Sequence, residues 1–262
     1  MTSGRRARFA VGMTAAALAV AACADDAARP VPAPTSVPTA SSPAGTPASS
    51  LGTAGTSDLA ERSGDEVFAA SREAMMALDS VRYELRYASP EETSTFDVRT
   101  SGGGECRGTL GLGAGTIEIL TSGGGEWFRP DPAAWRSLEP EHADEILAAA
   151  GDRWVVDEGW EYANFCDLRS FLAEMFDNDD GDEFTVLGQE SLDGEQVVRI
   201  RSVDADDVES VGFVRSSGEP YTVRIEIRGG DREGEIAFSQ FDEPVTAERP
   251  PASDVVDLSQ FL

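Results

Sequence analysis

Cys23 stands in a sequence context that specifies a covalent chemistry. It ends the tetrapeptide Val20-Ala21-Ala22-Cys23, in which small residues allow a lipoprotein signal peptidase to cut just before the cysteine. The thiol of such a cysteine is acylated first, and after cleavage the cysteine becomes the new N-terminus. Two acyl chains hold a protein stably on a membrane, because each buried methylene contributes about 0.8 kcal/mol. We therefore predict a lipid anchor at Cys23.

The residues before Cys23 have the composition of an export signal. Three arginines lie within the first eight residues, and an Ala-rich apolar run follows over 9–20. That run is too short to cross a bilayer as a helix, which needs about 20 residues. The pattern predicts a lipoprotein signal peptide over 1–22 and a location on the extracytoplasmic face of the cell membrane. The alternative is an ordinary signal peptide, cut after an Ala-x-Ala sequence, with Cys23 present by coincidence.

Cys106 and Cys166 are the remaining two of the three cysteines. Two thiols in an exported domain usually pair, so we predict a disulfide bond between them. The bond would close a loop of about 60 residues, which the chain-entropy model values at roughly 4 kcal/mol. The alternative is two free thiols, one buried in each half of the domain.

Catalytic and metal-binding chemistry finds little support in the sequence. His142 is the single histidine, and its polar surroundings predict a solvated side chain, not the buried base of a nucleophilic triad. One histidine and a cysteine pair cannot supply the ligands of a zinc site. The acidic run at 177–183 fails as a calcium loop, because aligning Gly181 with the required glycine puts Phe176 and Leu187 at ligand positions. We predict no catalytic residue, metal, cofactor or enzyme activity.

Large apolar side chains lie close to the middle of the chain. Three of them are Trp127, Trp135 and Trp154, and Phe171 and Leu172 belong to the apolar stripe of a predicted helix. Core packing is one explanation of this set. The functional interpretation is that these residues line an apolar cavity between sheet and helices, the usual form of a small-molecule site.

The mature chain is strongly acidic. After cleavage before Cys23 it has 18 arginines, no lysine and 48 acidic residues, which is a net charge of −30. This charge repels nucleic acid and anionic lipid surfaces, so we exclude nucleic acid as a partner. Residues 23–60 are rich in Pro, Ala, Ser and Thr and have almost no large apolar side chains. They are predicted to be a disordered tether, which leaves 61–262 as a single folded domain.

Hydrophobic periodicity predicts the elements of that domain. A capping box that starts at Ser63 begins the first helix, and an alternation of period two then indicates strands separated by Gly-rich turns. The predicted elements are, in order, a helix at 63–78, strands at 81–129, helices at 141–150 and 167–176, strands at 184–241 and an extended segment at 244–262. Consecutive hairpins favour a single sheet. The last segment is predicted to lie along an edge of that sheet or to close it. The predicted fold class is α+β, a strongly curved antiparallel half-barrel with helices packed in its concave face.

This order of elements resembles the LppX/LprG-type envelope lipoproteins of actinobacteria and, through them, the LolA/LolB/RseB-like half-barrels. The similarity covers about 63–262 and includes Gly125-Glu126-Trp127-Phe128 before Trp135 and Gly194-Glu195-Gln196-Val197-Val198. The resemblance implies an open half-barrel that shields an acyl chain or lipid between sheet and helices. The chain differs from the lipid-carrying mycobacterial members in having this cysteine pair, which they lack. A cross-link between the strands and the central helices would restrict the opening of a cavity.

These features predict a membrane-anchored extracytoplasmic lipoprotein that binds or carries a lipid or another apolar molecule in the cell envelope. The alternative is a non-enzymatic sensor or protein-interaction lipoprotein on the same fold, with an envelope protein as its partner.

The anchor prediction can be tested by metabolic labelling with an alkyne fatty acid. The wild-type protein should be labelled and Cys23→Ser should not, because no other residue lies in a lipidation motif. Equal labelling of the two proteins would contradict the prediction.

Overall fold

A computed structural model describes residues 59–88, 93–156, 162–176, 182–204, 207–229 and 232–258. The predicted signal peptide, Cys23 and nearly all of the predicted tether lie outside these residues, as does most of the acidic run at 177–183. Within the described ranges, no helix is both long enough and apolar enough to cross a membrane.

The described residues form four α-helices and twelve β-strands. The helices are α1 (Gly64–Met76), α2 (Pro132–Leu138), α3 (Ala143–Ala150) and α4 (Leu168–Met175). A first meander consists of β1 (Ser80–Ala88), β2 (Thr93–Ser101), β3 (Cys106–Leu112), β4 (Gly115–Ser122) and β5 (Gly125–Pro130). A second meander consists of β7 (Thr185–Leu192), β8 (Glu195–Val203), β9 (Glu209–Arg215), β10 (Thr222–Gly229) and β11 (Arg232–Ser239). Two short strands, β6 (Trp154–Val156) and β12 (Val255–Val256), lie at one edge.

All twelve strands belong to one sheet, in the order β12-β6-β5-β4-β3-β2-β1-β11-β10-β9-β8-β7. The two meanders join where β1 pairs antiparallel with β11, and Tyr83 there lies opposite Phe238. The predicted α+β class and the antiparallel pairing are confirmed, with one parallel pair between β12 and β6. The C-terminal segment therefore adds an edge strand and does not close the sheet.

The strong curvature predicted for the sheet is wrong, because the sheet is open and not strongly curled. The distribution of the helices gives a physical reason. α2 packs on β4 and β5 of the first meander, and α1 packs on β7 and β8 of the second. Different helices therefore cover the two ends of the sheet, and they do not form one even layer around which both halves could bend.

Local sequence explains where the helices begin. Ser63 and Glu66 form the predicted capping box, in which the Glu66 backbone N–H donates to Ser63 Oγ and the Ser63 N–H donates to the Glu66 carboxylate. Asp167 caps α4 by accepting from the Ser170 backbone N–H. α2 was not predicted from the sequence, although Asp131 at its N-cap and Pro132 in its first turn are ordinary start signals.

The sheet has one face covered by helices, here called the inner face, and an opposite outer face. Along β5, Phe128 belongs to the core on the inner face, and its neighbours Trp127 and Arg129 point outward because side chains alternate along a strand. The core of the first meander consists of large side chains from sheet and helices. It includes Val98, Leu110, Ile117, Ile119, Phe128, Trp135, Ile146 and Leu172.

The predicted disulfide bond is present between Cys106 and Cys166, whose Cα atoms lie 5.5 Å apart. It links the start of β3 to the turn just before α4. Two hydrogen bonds fix the same turn on the sheet, since Thr100 Oγ1 donates to the Cys166 carbonyl and the Tyr83 hydroxyl donates to the Phe165 carbonyl at 2.6 Å. The N-terminal end of α4 is therefore held on the first meander.

Removing this bond should destabilise the fold strongly. The two cysteines are separated by 60 residues, and a closed loop of that size is worth about 4 kcal/mol in the chain-entropy model. Cys106→Ala combined with Cys166→Ala should lower the free energy of unfolding by about that amount in urea titrations. Wild-type protein unfolded in the presence of dithiothreitol is the matched control and should agree with the double variant. Equal stability of oxidised wild type and double variant would contradict the expectation.

Candidate functional site

The five residues predicted to line a cavity lie on two different faces of the sheet. Trp127 in β5 and Trp154 in β6 point to the outer face, whereas Trp135 in α2 and Phe171 and Leu172 in α4 pack on the inner face. The five side chains therefore do not surround a common cavity, because the sheet itself separates them.

Arginines lie over the two outward-facing tryptophans. The Arg129 guanidinium lies 4.5 Å from the ring centre of Trp154, and that of Arg249 lies 5.3 Å from Trp127. Trp154 also borders a polar trough of about 460 Å³ on the outer face, with Arg82, Asp97 and other polar groups along its walls. A hydrogen bond from Arg82 holds the pKa of the Asp97 carboxyl below its usual range. The outer face is a polar, ion-paired surface around these two rings.

Aromatic packing fills the inner face over the first meander. Phe171 stacks on Tyr83 with their ring centres 4.1 Å apart, and Trp135 packs against Phe128 at 5.9 Å. Burial raises the pKa of the Tyr83 hydroxyl well above its ordinary value. Leu172 is 0% exposed in the same core. These predicted site residues therefore contribute to a close-packed interior.

A cavity of about 160 Å³ lies elsewhere, between the second meander and helices α1 and α4. Its lining is mostly apolar, with three hydroxyl side chains and one carboxylate. The lining residues are Phe68, Met175, Phe176, Asp182, Phe184, Ile200, Ser202, Ser210, Gly212, Thr222, Ile225 and Ile227. We take this cavity as the candidate functional site.

The strand side chains of the cavity lie in cross-strand rows on the inner face. One row consists of Ile225, Gly212 and Ile200, and the next consists of Ile227, Ser210 and Ser202. Successive rows on one face are about 7 Å apart. These rows contain small residues where the first meander has large ones.

Gly212 illustrates why the space exists. A Cβ atom built on it would lie 3.3 Å from Cγ1 of Ile200, and no other residue's atoms would come closer. The contact is tight, so a side chain at this position would need a small shift of Ile200, and its absence in Gly212 contributes to the space above the middle row. The signal was present in the sequence, because Ser202, Ser210 and Gly212 occupy inward-facing positions of strands that were predicted correctly.

Helices and the chain before β7 form the remaining walls. The Phe68 ring of α1 stacks on Phe184, with ring centres 4.0 Å apart and planes 9° from parallel. Met175 and Phe176 come from the end of α4, the helix whose apolar stripe was predicted. The Phe176 carbonyl accepts a hydrogen bond of 2.9 Å from Arg72 of α1. Two residues of the predicted stripe thus reach the cavity, but Phe171 and Leu172 do not line it.

The other candidate groups show no convergent arrangement. His142 is exposed at the N-terminus of α3, and its Nδ1 lies 3.9 Å from a carboxylate oxygen of Glu139. Among the residues that the structure describes, no group of three or more His, Cys, Asp or Glu side chains is placed to hold a metal ion.

Three solved structures are similar to this chain to different degrees. LprF from Mycobacterium bovis is 15% identical, with 72% of this chain and 97% of LprF covered and a TM-score of 0.50. The Mycobacterium tuberculosis lipoprotein LppX is 16% identical, with 71% and 100% covered and a TM-score of 0.47. MucB, in its complex with MucA of Pseudomonas aeruginosa, is 13% identical, with 73% and 59% covered and a TM-score of 0.34.

No protein-family model matches the sequence. No curated protein matches it either. The similarity to LprF, at this low identity, concerns the fold alone. It confirms at that level the resemblance predicted from the sequence, and the chain shares its fold with LprF.

Two charged substitutions in α4 should distinguish the packed core from the cavity wall by the loss of folding stability that each causes. Leu172→Glu would place a carboxylate in the close-packed interior and should lower the free energy of unfolding by at least about 4 kcal/mol. Met175→Glu lies at the half-buried cavity wall and should cost less than about 2 kcal/mol, because water can reach the charge there. Urea unfolding of the two variants measures the difference, and equal destabilisation would show that the cavity wall is packed like the core.

Proposed function

We propose that this chain is a membrane-anchored lipoprotein of the extracytoplasmic face that binds an apolar molecule, such as an acyl chain, in the cavity between α1, α4 and β8–β10. The observation that carries the proposal is the apolar lining of that cavity. Residues 1–22 are the signal peptide in this proposal, 23–60 the lipidated cysteine and its tether, and 61–262 the binding domain.

The cavity has the lining that an acyl chain requires. Phe68, Phe184, Ile200, Ile225 and Ile227 supply its walls, and each methylene that leaves water for such walls contributes about 0.8 kcal/mol. A volume of about 160 Å³ is below the roughly 300–1,000 Å³ of sites that enclose a whole drug-sized ligand. The cavity therefore accommodates a segment of a chain, and the rest of the ligand extends beyond it.

The attachment of α4 indicates how the cavity would admit such a chain. At its N-terminal end the helix follows the disulfide-bonded Cys166, and the hydrogen bonds around that residue fix it on the sheet. At its C-terminal end Met175 and Phe176 line the cavity, and a hydrogen bond from Arg72 reaches the Phe176 carbonyl. A small outward movement of the C-terminal end would widen the cavity and leave the disulfide in place.

Filling the cavity tests the proposal directly. Gly212→Leu would place a side chain in the space above Ile200 with only a slight adjustment of that residue. Fluorescence titration with 1-aminoanthracene, an uncharged apolar fluorophore, should show at least tenfold weaker binding to this variant than to wild type. The melting temperature should stay the same or rise, because the new side chain fills a cavity.

Val211→Leu is the matched control, since Val211 is the neighbour of Gly212 in β9 and faces outward. It should bind the fluorophore as wild type does. Unchanged binding by Gly212→Leu, or absence of any binding by wild type, would contradict the proposal.

The second candidate is a sensor that binds an envelope protein and no small molecule. The aromatic core over the first meander favours it, because the large side chains there are buried against one another. In that case the protein purified from its own host carries no lipid in native mass spectrometry, and Gly212→Leu keeps full biological activity.

A further inference from the structure

We propose that the cavity selects apolar molecules with an uncharged polar head, and that Ser202 and Ser210 bind that head. The proposal rests on the function proposed above and adds the chemical class of the ligand. It predicts that alcohols and esters of acyl chains, such as acylglycerols, bind in preference to fatty-acid anions and phosphate-bearing lipids.

The two serines form a pair of hydroxyls at one end of the cavity. Ser202 in β8 and Ser210 in β9 are directly opposite each other in the sheet register, and both line the cavity. Ser202 is only 7% exposed. Neither hydroxyl has a hydrogen-bond partner among the residues that the structure describes. Both residues line the cavity, so their hydroxyls are available to donate to, or accept from, a hydroxyl or ester oxygen of a ligand.

The third hydroxyl of the cavity shows the contrast. Thr222 shares a hydrogen bond of 2.7 Å with Ser71 of α1, and both residues are buried. That pair is satisfied within the protein and ties the helix to β10. The serine pair is not satisfied in this way, so it is the polar group that remains for a ligand.

The charges around the cavity exclude an anionic head. The chain has no lysine. Among the described residues that line the cavity there is no arginine, and the charged one is Asp182. Arg72, on the adjoining helix, is exposed and donates to the Phe176 carbonyl. A carboxylate or phosphate bound at the serines would lose part of its water without gaining a cation, and the mature chain, with its net charge of −30, would repel it.

The order of the rows fixes the orientation of the ligand. The row of Ile227, Ser210 and Ser202 is polar at two of its three positions, and the row of Ile225, Gly212 and Ile200 is apolar throughout. The head therefore binds at the serine row, and the chain runs toward the apolar row beneath Phe68.

Displacement of bound 1-aminoanthracene at pH 8 by three single-chain ligands tests the selection. The ligands are 1-monododecanoylglycerol, dodecanoate and dodecyl phosphate, which share a twelve-carbon chain and differ in the head. The monoacylglycerol should bind at least tenfold more tightly than either anion. Ser202→Ala combined with Ser210→Ala should weaken its binding by about tenfold and leave the affinity for the fluorophore unchanged.

Two further variants complete the design. Thr109→Ala removes an exposed hydroxyl from the outer face and should change no affinity. Ser210→Arg supplies the missing cation and should bring dodecanoate to at least the affinity of the monoacylglycerol.

Equal or tighter binding of the anions by wild type overturns the selection by head group and leaves the proposed function standing. Unchanged monoacylglycerol affinity in the double Ala variant overturns the role of the serines. Absence of binding by every ligand, the fluorophore included, overturns both this proposal and the proposed function.

Discussion

The apolar inner face of the twelve-stranded sheet has to be covered by four short helices. These helices cover some parts of the face more densely than others, and the rest of the structure depends on that uneven cover. α2 packs on the first meander, and α1 is the helix that reaches β7 and β8 at the far end. Where the cover is dense, rings such as Phe171 and Tyr83 stack on each other, with ring centres 4.1 Å apart. Where it is sparse, small side chains on β8 and β9 leave a cavity. One sheet thus combines a densely packed half with a half that contains a cavity.

The disulfide bond lies in the densely packed half. It fixes Cys166, and with it the start of α4, on the strand that begins at Cys106. The end of α4 lies over the cavity and contacts α1 through the hydrogen bond between Arg72 and the Phe176 carbonyl. From the sequence, a cross-link between strands and helices counted against a carrier function, because it would restrict opening. Its position changes that argument, since the bond restrains the end of the helix that is remote from the cavity.

Much of the fold could be predicted from the sequence, because its signals are local. The capping box at Ser63 and the alternation along the strands gave α1 and the two meanders nearly as they are, although α2 was missed. The strong curvature and the site could not be predicted in the same way, because both depend on how the helices are distributed over the sheet. Trp127 shows the difficulty. Its position in a strand was predicted, but only the register with β4 shows that it faces away from the helices.

The cavity was missed for a related reason. Large apolar residues in a sequence indicate packed cores, whereas small residues at inward-facing positions indicate a cavity. Gly212 and the two serines gave that signal, but it becomes readable only when the register aligns β8, β9 and β10. The pairing of Cys106 with Cys166 was predictable, in contrast, because few cysteines leave few choices.

Methyl NMR with labelled isoleucine tests the central claim most directly, because isoleucines lie in both halves of the inner face. Ile200, Ile225 and Ile227 line the cavity, whereas Ile117 and Ile146 lie in the filled core. On titration with 1-monododecanoylglycerol, the methyl signals of the first three should shift and show nuclear Overhauser contacts to the chain, and those of the other two should stay in place. Contacts to Ile117 or Ile146, or no contact to any of the five, would contradict the account.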